Sequence, residues 1–127
     1  MIYGIGTDLV EIQRIRAAYA RHGERFILRL LSPAERARVG DFADPGPYLA
    51  KRWAAKEAFS KALGTGVMPP VTLAGITVAS DASGKPVLAF DDAIQAYMSE
   101  RGITRAHLSL SDERLSAVAF VILECEG

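Results

Sequence analysis

LAKRWAAKEAFSKALGTG, residues 49–66, is the stretch around which the rest of the chain is arranged. It is rich in Ala, Leu, Lys and Glu and holds no Gly or Pro before the closing Gly-Thr-Gly, which predicts a helix of about four turns ended by a glycine stop. At ~100° per residue, Glu57 and Lys61 share a sector with Ala50, Trp53 and Ala54, while Arg52, Lys56 and Ser60 share another. A carboxylate and an amine therefore stand among small and apolar side chains. Taken alone, the pair is an i,i+4 salt bridge worth a few tenths of a kcal/mol. Its meaning depends on the segments around it.

Upstream, IYGIGTDLV at 2–10 sets β-branched and aromatic residues around two glycines, predicting a first strand closely approached by other backbone near Gly4 and Gly6. Gly-Ile-Gly lacks the third glycine of a dinucleotide fingerprint and runs at once into Asp8, so that reading is rejected. EIQRIRAAYARH at 11–22 places Ile12, Ile15 and Tyr19 on one helical stripe, with Arg14, Arg16 and Arg21 elsewhere, and His22-Gly23 closes it. ERFILRLL at 24–31 reads as a second short helix. Ser32-Pro33-Ala34-Glu35 is a start signal with Ser as N-cap, Pro at N1 and Glu at N3. Gly40 and Asp44-Pro45-Gly46-Pro47 then break the chain ahead of the central helix.

Downstream, residues 67–70 (VMPP) form a linker, and VTLAGITVASDASGKPVLAF at 71–90 reads as strand, turn, strand, with the turn at Asp81 to Pro86. Asp91 caps a helix reaching about Glu100 and ended by Gly102. RAHLSLS at 105–111 and LSAVAFVIL at 115–123 are strands joined tightly through Asp112-Glu113-Arg114. This order predicts one α+β domain over 1–127, a mainly antiparallel sheet packed against a long central helix and shorter helices. The unbroken apolar run Ala117 to Leu123 lacks the alternation of a strand with one wet face. It is either central and covered on both sides or turned toward another subunit.

Composition narrows the function classes. With fifteen basic and fifteen acidic residues the net charge is zero, so no global field draws the chain to nucleic acid or to a membrane. A single cysteine, Cys125, excludes an intrachain disulfide and a cysteine-built zinc site. The first residues carry Asp8 and no basic region, unlike a secretory signal, and the longest apolar run is too short to span a bilayer. A cytoplasmic protein is expected.

Three pieces, GIGTDLVEIQRI at 4–15, RWAAKEAFSKALGTG at 52–66 and HLSLSDE at 107–113, together resemble the holo-[acyl-carrier-protein] synthase family of 4'-phosphopantetheinyl transferases. The resemblance covers almost the whole chain. It implies Mg²⁺-dependent transfer of the phosphopantetheine arm of coenzyme A to a serine of an acidic apo acyl carrier protein, as in fatty acid biosynthesis, with release of adenosine 3',5'-bisphosphate. It also implies a homotrimer with active sites at subunit boundaries. By position, Asp8 and Glu57 match metal-binding carboxylates, and Lys61 matches the helix lysine beside them, with Glu57 and Lys61 catalytic. Arg52 and His107 match positions near the adenosine 3'-phosphate. Gly64, Lys85 and Pro86 match nucleotide-side positions, with the turn of the last two expected near the nucleotide of a neighbouring subunit. Arg14 matches a basic position on the carrier-docking helix, and Arg21 is its expected companion. Many members carry a second histidine where Asp112 stands here, and the stretch 41–48 has few basic residues.

Elementary chemistry fits these roles. Serine attack on a pyrophosphate needs charge neutralised on non-bridging oxygens, and Mg²⁺ is commonly held by one or two carboxylates plus substrate phosphates. Lys61, one turn beyond Glu57, can meet a phosphate oxygen as a point charge. A water held by the metal, Glu57 or Glu35 could take the serine proton, although the capping box already accounts for Glu35. Outside the family context Asp8 reads as a turn residue, His107 as a hydrogen-bonded strand residue, and the arginines at 14, 16, 21, 25 and 29 as a solvated face. Trp53 and Phe59 read as core. A coenzyme A binder without turnover and a transferase serving the carrier domain of a larger synthase are the alternatives.

Overall fold

The computed structural model describes residues 1–126. Strand β1 (Ile2–Glu11) leads directly into helix α1 (Ile12–His22), followed by α2 (Glu24–Leu30) and the single turn α3 (Pro33–Arg36). A 3-10 turn, Val39–Asp41, precedes the long helix α4 (Gly46–Leu63). The hairpin β2 (Ile76–Ser80) and β3 (Pro86–Phe90), helix α5 (Asp92–Glu100) and the long hairpin β4 (Ile103–Asp112) and β5 (Ser116–Cys125) complete the α+β architecture. All strand pairs are antiparallel, divided between a three-stranded sheet in the order β1-β5-β4 and a separate two-stranded sheet β2-β3. Strand β3 packs beside β4 without joining its ladder.

Helix α4 starts three residues earlier than its composition suggests. Asp44-Pro45-Gly46-Pro47, expected to break the chain, instead begins the helix, because proline is compatible with a first turn whose N–H groups have no helical partner. The Asp44 carboxylate accepts from Gly46 N at 3.0 Å. At the other end Gly64 takes φ 89° and its N–H closes onto Ser60 O and Lys61 O, as a glycine C-cap does. The first strand of the hairpin also starts late. Val71 and Leu73 are buried, but residues 72–75 turn, with Gly75 N donating to Thr72 O, so extended pairing begins only at Ile76. The Asp91 cap is realised through Oδ1, which accepts from Ile94 N at 2.9 Å.

Helix α4 is buried nearly all round, and this sets the architecture. One face lies against β1 and β5. There, a Cβ built on Gly4 would fall 1.9 Å from Ala62 O, and one on Gly6 1.9 Å from Ala58 O. Glycine on the strand facing alanine on the helix lets two backbones approach more closely than any side chain permits. The sector of Arg52, Lys56 and Ser60 also turns inward: Lys56 and Ser60 are buried beside α2, α3 and β2. Leu30, Leu49, Phe59, Ile76, Ile94 and Leu123 are fully buried around the helix.

Strand β5 meets only half of the first expectation for its apolar run. It is central in its sheet, and Ala117, Ala119, Val121 and Leu123 are buried against α4. Its other face, with Val118, Phe120 and Ile122, is not covered by this chain. Ile5, Thr7 and Leu9 of β1 pair in register with those three residues, and His107, Ser109 and Ser111 of β4 flank them on the other side. Leu9 remains 70 % and Phe120 47 % exposed. No helix among the described residues is long and apolar enough to cross a membrane.

Candidate active site

The close approach of β1 to α4 creates the central constellation. Asp8 lies two residues beyond Gly6 and therefore points to the same, inner face of the sheet, toward the helix that carries Glu57 and Lys61. Lys61 Nζ donates to Asp8 Oδ1 at 3.0 Å and to Thr7 O at 3.0 Å. The other Asp8 oxygen, Oδ2, is buried with no hydrogen-bond partner. Glu57 is partly buried, and burial first, then the neighbouring Asp8 charge, pushes its carboxyl above the ordinary range; Lys61 and Arg29 pull the other way. Asp8, with an orphaned buried oxygen, and Glu57, disfavoured as an anion and near enough to feel the Asp8 charge, form a pair that a hard cation would stabilise. Among the described residues no cluster of three or more His, Cys, Asp or Glu could hold a metal, so these two carboxylates are the charged oxygen groups on which a cation here could rest. Such a donor set suits Mg²⁺, which retains waters and substrate oxygens in its shell.

The other predicted residues lie elsewhere in the chain. His107 points to the outer face of the sheet, opposite Asp8, and its Nε2 is 2.5 Å from Glu124 Oε1; that contact holds the Glu124 carboxyl below the ordinary range. Lys85 and Pro86 end the β2-β3 turn, whose shape is set by Asp81 Oδ1 accepting from Ser83 N, Ser83 Oγ and Lys85 N. Gly64 is the C-cap of α4 just beyond Lys61. Arg14 and Arg21 are exposed on α1, and neither forms an ion pair among the described residues. Arg16, one of the same scattered arginines, is instead committed to Asp44 at 2.7 Å. Asp112, the departure from the family pattern, faces Lys51 at 3.6 Å. Phe59 is core, whereas Trp53 is only partly buried and stacks on Phe26 with ring centroids 6.3 Å apart.

Arg52 is mostly buried in a cluster that sequence patterning did not disclose. Its Nε lies 3.3 Å from Glu35 Oε2 as an ion pair, its Nη2 donates to Val78 O at 3.3 Å, and its guanidinium carbon sits 3.8 Å over the Tyr48 ring. Lys56 is 0 % exposed, and its Nζ donates to Glu35 Oε1 at 2.6 Å and to Leu30 O at 2.6 Å. Burial lowers the Lys56 pKa to about 8 against the opposing pull of Glu35. Glu35 also accepts from Ser32 N at 2.9 Å, the predicted box contact, and from Val78 N at 2.8 Å. With both oxygens engaged and only 3 % of the residue exposed, Glu35 has no lone pair facing solvent for a substrate hydroxyl, and its candidacy as general base is set aside. The signal for this cluster was present as Lys56 beside Arg52 on one helical sector, but a lysine on a helix ordinarily faces water.

A groove lined by His22, Arg25, Phe26 and Arg29 opens on α2, and Arg29 is close enough to bear on the Glu57 carboxyl. The basic surface of α1 and α2 therefore continues to the edge of the carboxylate pair.

Comparison with known proteins gives a consistent result. The model of the 4'-phosphopantetheinyl transferase superfamily matches residues 4–118. The chain is 53 % identical to the holo-[acyl-carrier-protein] synthase of Thiobacillus denitrificans, covering 98 % of this chain and 95 % of that protein. With the synthase of Dechloromonas aromatica the identity is 54 %, covering 98 % of each. Among solved structures it is similar to the synthase from Neisseria meningitidis, with TM-score 0.94, 44 % identity and coverage of 98 % and 99 %. The synthase from Bacillus anthracis in complex with coenzyme A (3',5'-ADP) follows at TM-score 0.82, 35 % identity and coverage of 99 % of each.

Proposed function

The chain belongs to the 4'-phosphopantetheinyl transferase superfamily, and from that premise we propose how its residues carry out the transfer. It is a holo-[acyl-carrier-protein] synthase that moves the 4'-phosphopantetheine arm of coenzyme A to a serine of apo acyl carrier protein. The observation that carries the mechanistic reading is the Asp8, Glu57 and Lys61 constellation, with its orphaned Asp8 oxygen, at the point where β1 touches α4.

Asp8 and Glu57 would hold Mg²⁺, which when bound neutralises pyrophosphate charge and so favours attack at phosphorus. The carrier serine Oγ forms a bond to the phosphorus bearing the pantetheine arm, the bond from that phosphorus to the bridging oxygen breaks, and adenosine 3',5'-bisphosphate leaves. The serine proton passes to a water at this carboxylate pair or to Glu57 itself. Lys61 is half-exposed and can exchange its contact with Asp8 for a phosphate oxygen on the transferring group. Arg52 binds the 3'-phosphate of coenzyme A from the groove it lines with Arg38 and β2. Arg14 and Arg21, free of ion pairs among the described residues, receive the acidic carrier.

His107, Lys85 and Pro86 act from a neighbouring subunit. The bare apolar outer face around Leu9, Val118, Phe120 and Ile122 supports a homotrimer, since such a contiguous face marks an interface. His107 stands on that same face, where it would meet another subunit's nucleotide. A cytoplasmic location accompanies this reading.

Intact-mass spectrometry of apo acyl carrier protein incubated with the protein, coenzyme A and Mg²⁺ tests it. A gain of one phosphopantetheinyl group that a chelator abolishes is the expected result. A gain that persists with chelator refutes the metal role, and no gain refutes the activity.

A further inference from the structure

We propose that Glu35 is a positioning residue for nucleotide recognition, holding the Arg52 guanidinium so that its unused edge faces the groove between α3, α4 and β2. The proposal rests on the reading of Arg52 as the contact to the 3'-phosphate of coenzyme A.

An arginine on a helix ordinarily samples many rotamers, and ordering it for one anion costs conformational entropy at the moment of binding. Here that ordering is built in. Glu35 Oε2 lies 3.3 Å from Nε as an ion pair without a directed hydrogen bond, the Tyr48 ring supports one face of the guanidinium at 3.8 Å, and Val78 O accepts from Nη2 at 3.3 Å. The frame is itself tied together: Tyr48 Oη donates to Glu35 O at 2.9 Å, and Val78 N donates to Glu35 Oε2 at 2.8 Å. Nη1 has no hydrogen-bond partner among the described residues, and Arg52 lines a groove of about 360 Å³.

Charge balance points the same way. Among the described residues Glu35 is the one carboxylate in contact with two cations, Lys56 at 2.6 Å and Arg52 at 3.3 Å. One negative charge against two positive charges leaves the groove wall in positive excess, with the compact contact going to Lys56. The looser pairing to Arg52 leaves its charge available to a phosphate, whose oxygens match the guanidinium edge. Lys56, fully buried, fixes the carboxylate itself, so Glu35 cannot turn away from Arg52. Glu35 thereby links α3, α4 and β2 to the orientation of one guanidinium without touching the ligand.

The test uses the full chain and two probes, adenosine 3',5'-bisphosphate and adenosine 5'-monophosphate, with affinities measured calorimetrically for wild type, Arg52→Ala and Glu35→Gln. Glutamine cannot accept on both atoms, so the frame loosens. The expected result is a preference for the bisphosphate in wild type that falls about tenfold in both variants, with affinity for the monophosphate unchanged. A general loss of folding lowers binding of both probes and leaves the ratio intact, so the ratio separates positioning from stability. If Glu35→Gln does not fold, the double variant Glu35→Gln/Lys56→Met, which removes the buried pair together, is read by the same ratio. Retention of the wild-type preference by the Glu35 variant while Arg52→Ala loses it overturns the proposal. Retention by Arg52→Ala overturns the underlying reading of Arg52.

Discussion

Replacing Gly6 with alanine tests the link between close packing and the site. The added methyl would sit 1.9 Å from Ala58 O and 2.7 Å from Ala62 N, both backbone atoms of α4. Neither belongs to a flexible side chain, so β1 and the helix must separate by about 1.5 Å to restore an ordinary contact. Overpacking costs roughly 1 to 3 kcal/mol, and a clash with backbone belongs at the upper end, near 3 kcal/mol. For a domain of this size that corresponds to a fall in Tm of about 12 °C. The displacement passes directly to Asp8, two residues along the same strand, and a misplacement of about 1 Å at a reacting site costs on the order of a hundredfold in rate. Thermal melting gives the first quantity and carrier modification at a temperature where the variant is folded gives the second. Gly40→Ala is the control, since nothing lies within 4 Å of the position its Cβ would take and its φ is unstrained. A Gly6→Ala protein that melts within about 2 °C of wild type and retains full turnover refutes the argument that this contact sets the carboxylate geometry.

Glu57→Gln abolishes carrier modification yet stabilises the metal-free protein at neutral pH. The wild-type carboxyl has a raised folded-state pKa, so the native state loses stability as pH rises from the ordinary carboxylate range through that raised value. Chemical denaturation with chelator at pH 4 and pH 8 should show the variant's advantage at pH 8 and little at pH 4; an advantage confined to pH 4 refutes it. Lys56→Met leaves a buried carboxylate short of its closest cation and costs about 3 to 5 kcal/mol, part of which Glu35→Gln restores in the double variant. Urea titration of the four proteins gives that cycle, and strict additivity contradicts it. Phe120→Asp places a charge in the middle of the bare sheet face and converts the assembly to monomer by sedimentation velocity, while a wild type that is already monomeric refutes the interface. Arg14→Ala weakens carrier binding most at low salt and leaves coenzyme A affinity intact; equal loss for both ligands refutes the division of labour.

Much of the architecture was legible along the chain. Turn residues marked the hairpins, Asp91 and Gly102 bounded α5, and Gly4 and Gly6 announced a close approach. These signals are local: they depend on backbone conformations that only certain residues adopt. One helical turn likewise places Glu57 beside Lys61, whereas Asp8, by itself a turn residue, was grouped with them only through the family resemblance. Local signals failed where a proline admitted to a first turn looked like a break at 44–47, and where a buried bend at 71–75 shared the composition of a strand.

The tertiary structure alone decided which polar residues face inward. Lys56 and Glu35 are 21 positions apart, on helices whose own patterns leave them on ordinary polar sectors, and only the wrapping of α2, α3 and β2 around α4 removes both from water. It likewise settled that β5 is central, with one face in the core and the other uncovered by the chain. Sequence periodicity reports how many faces of an element are apolar. Which neighbour covers each face depends on contacts among distant segments, and those exist only once the chain has folded.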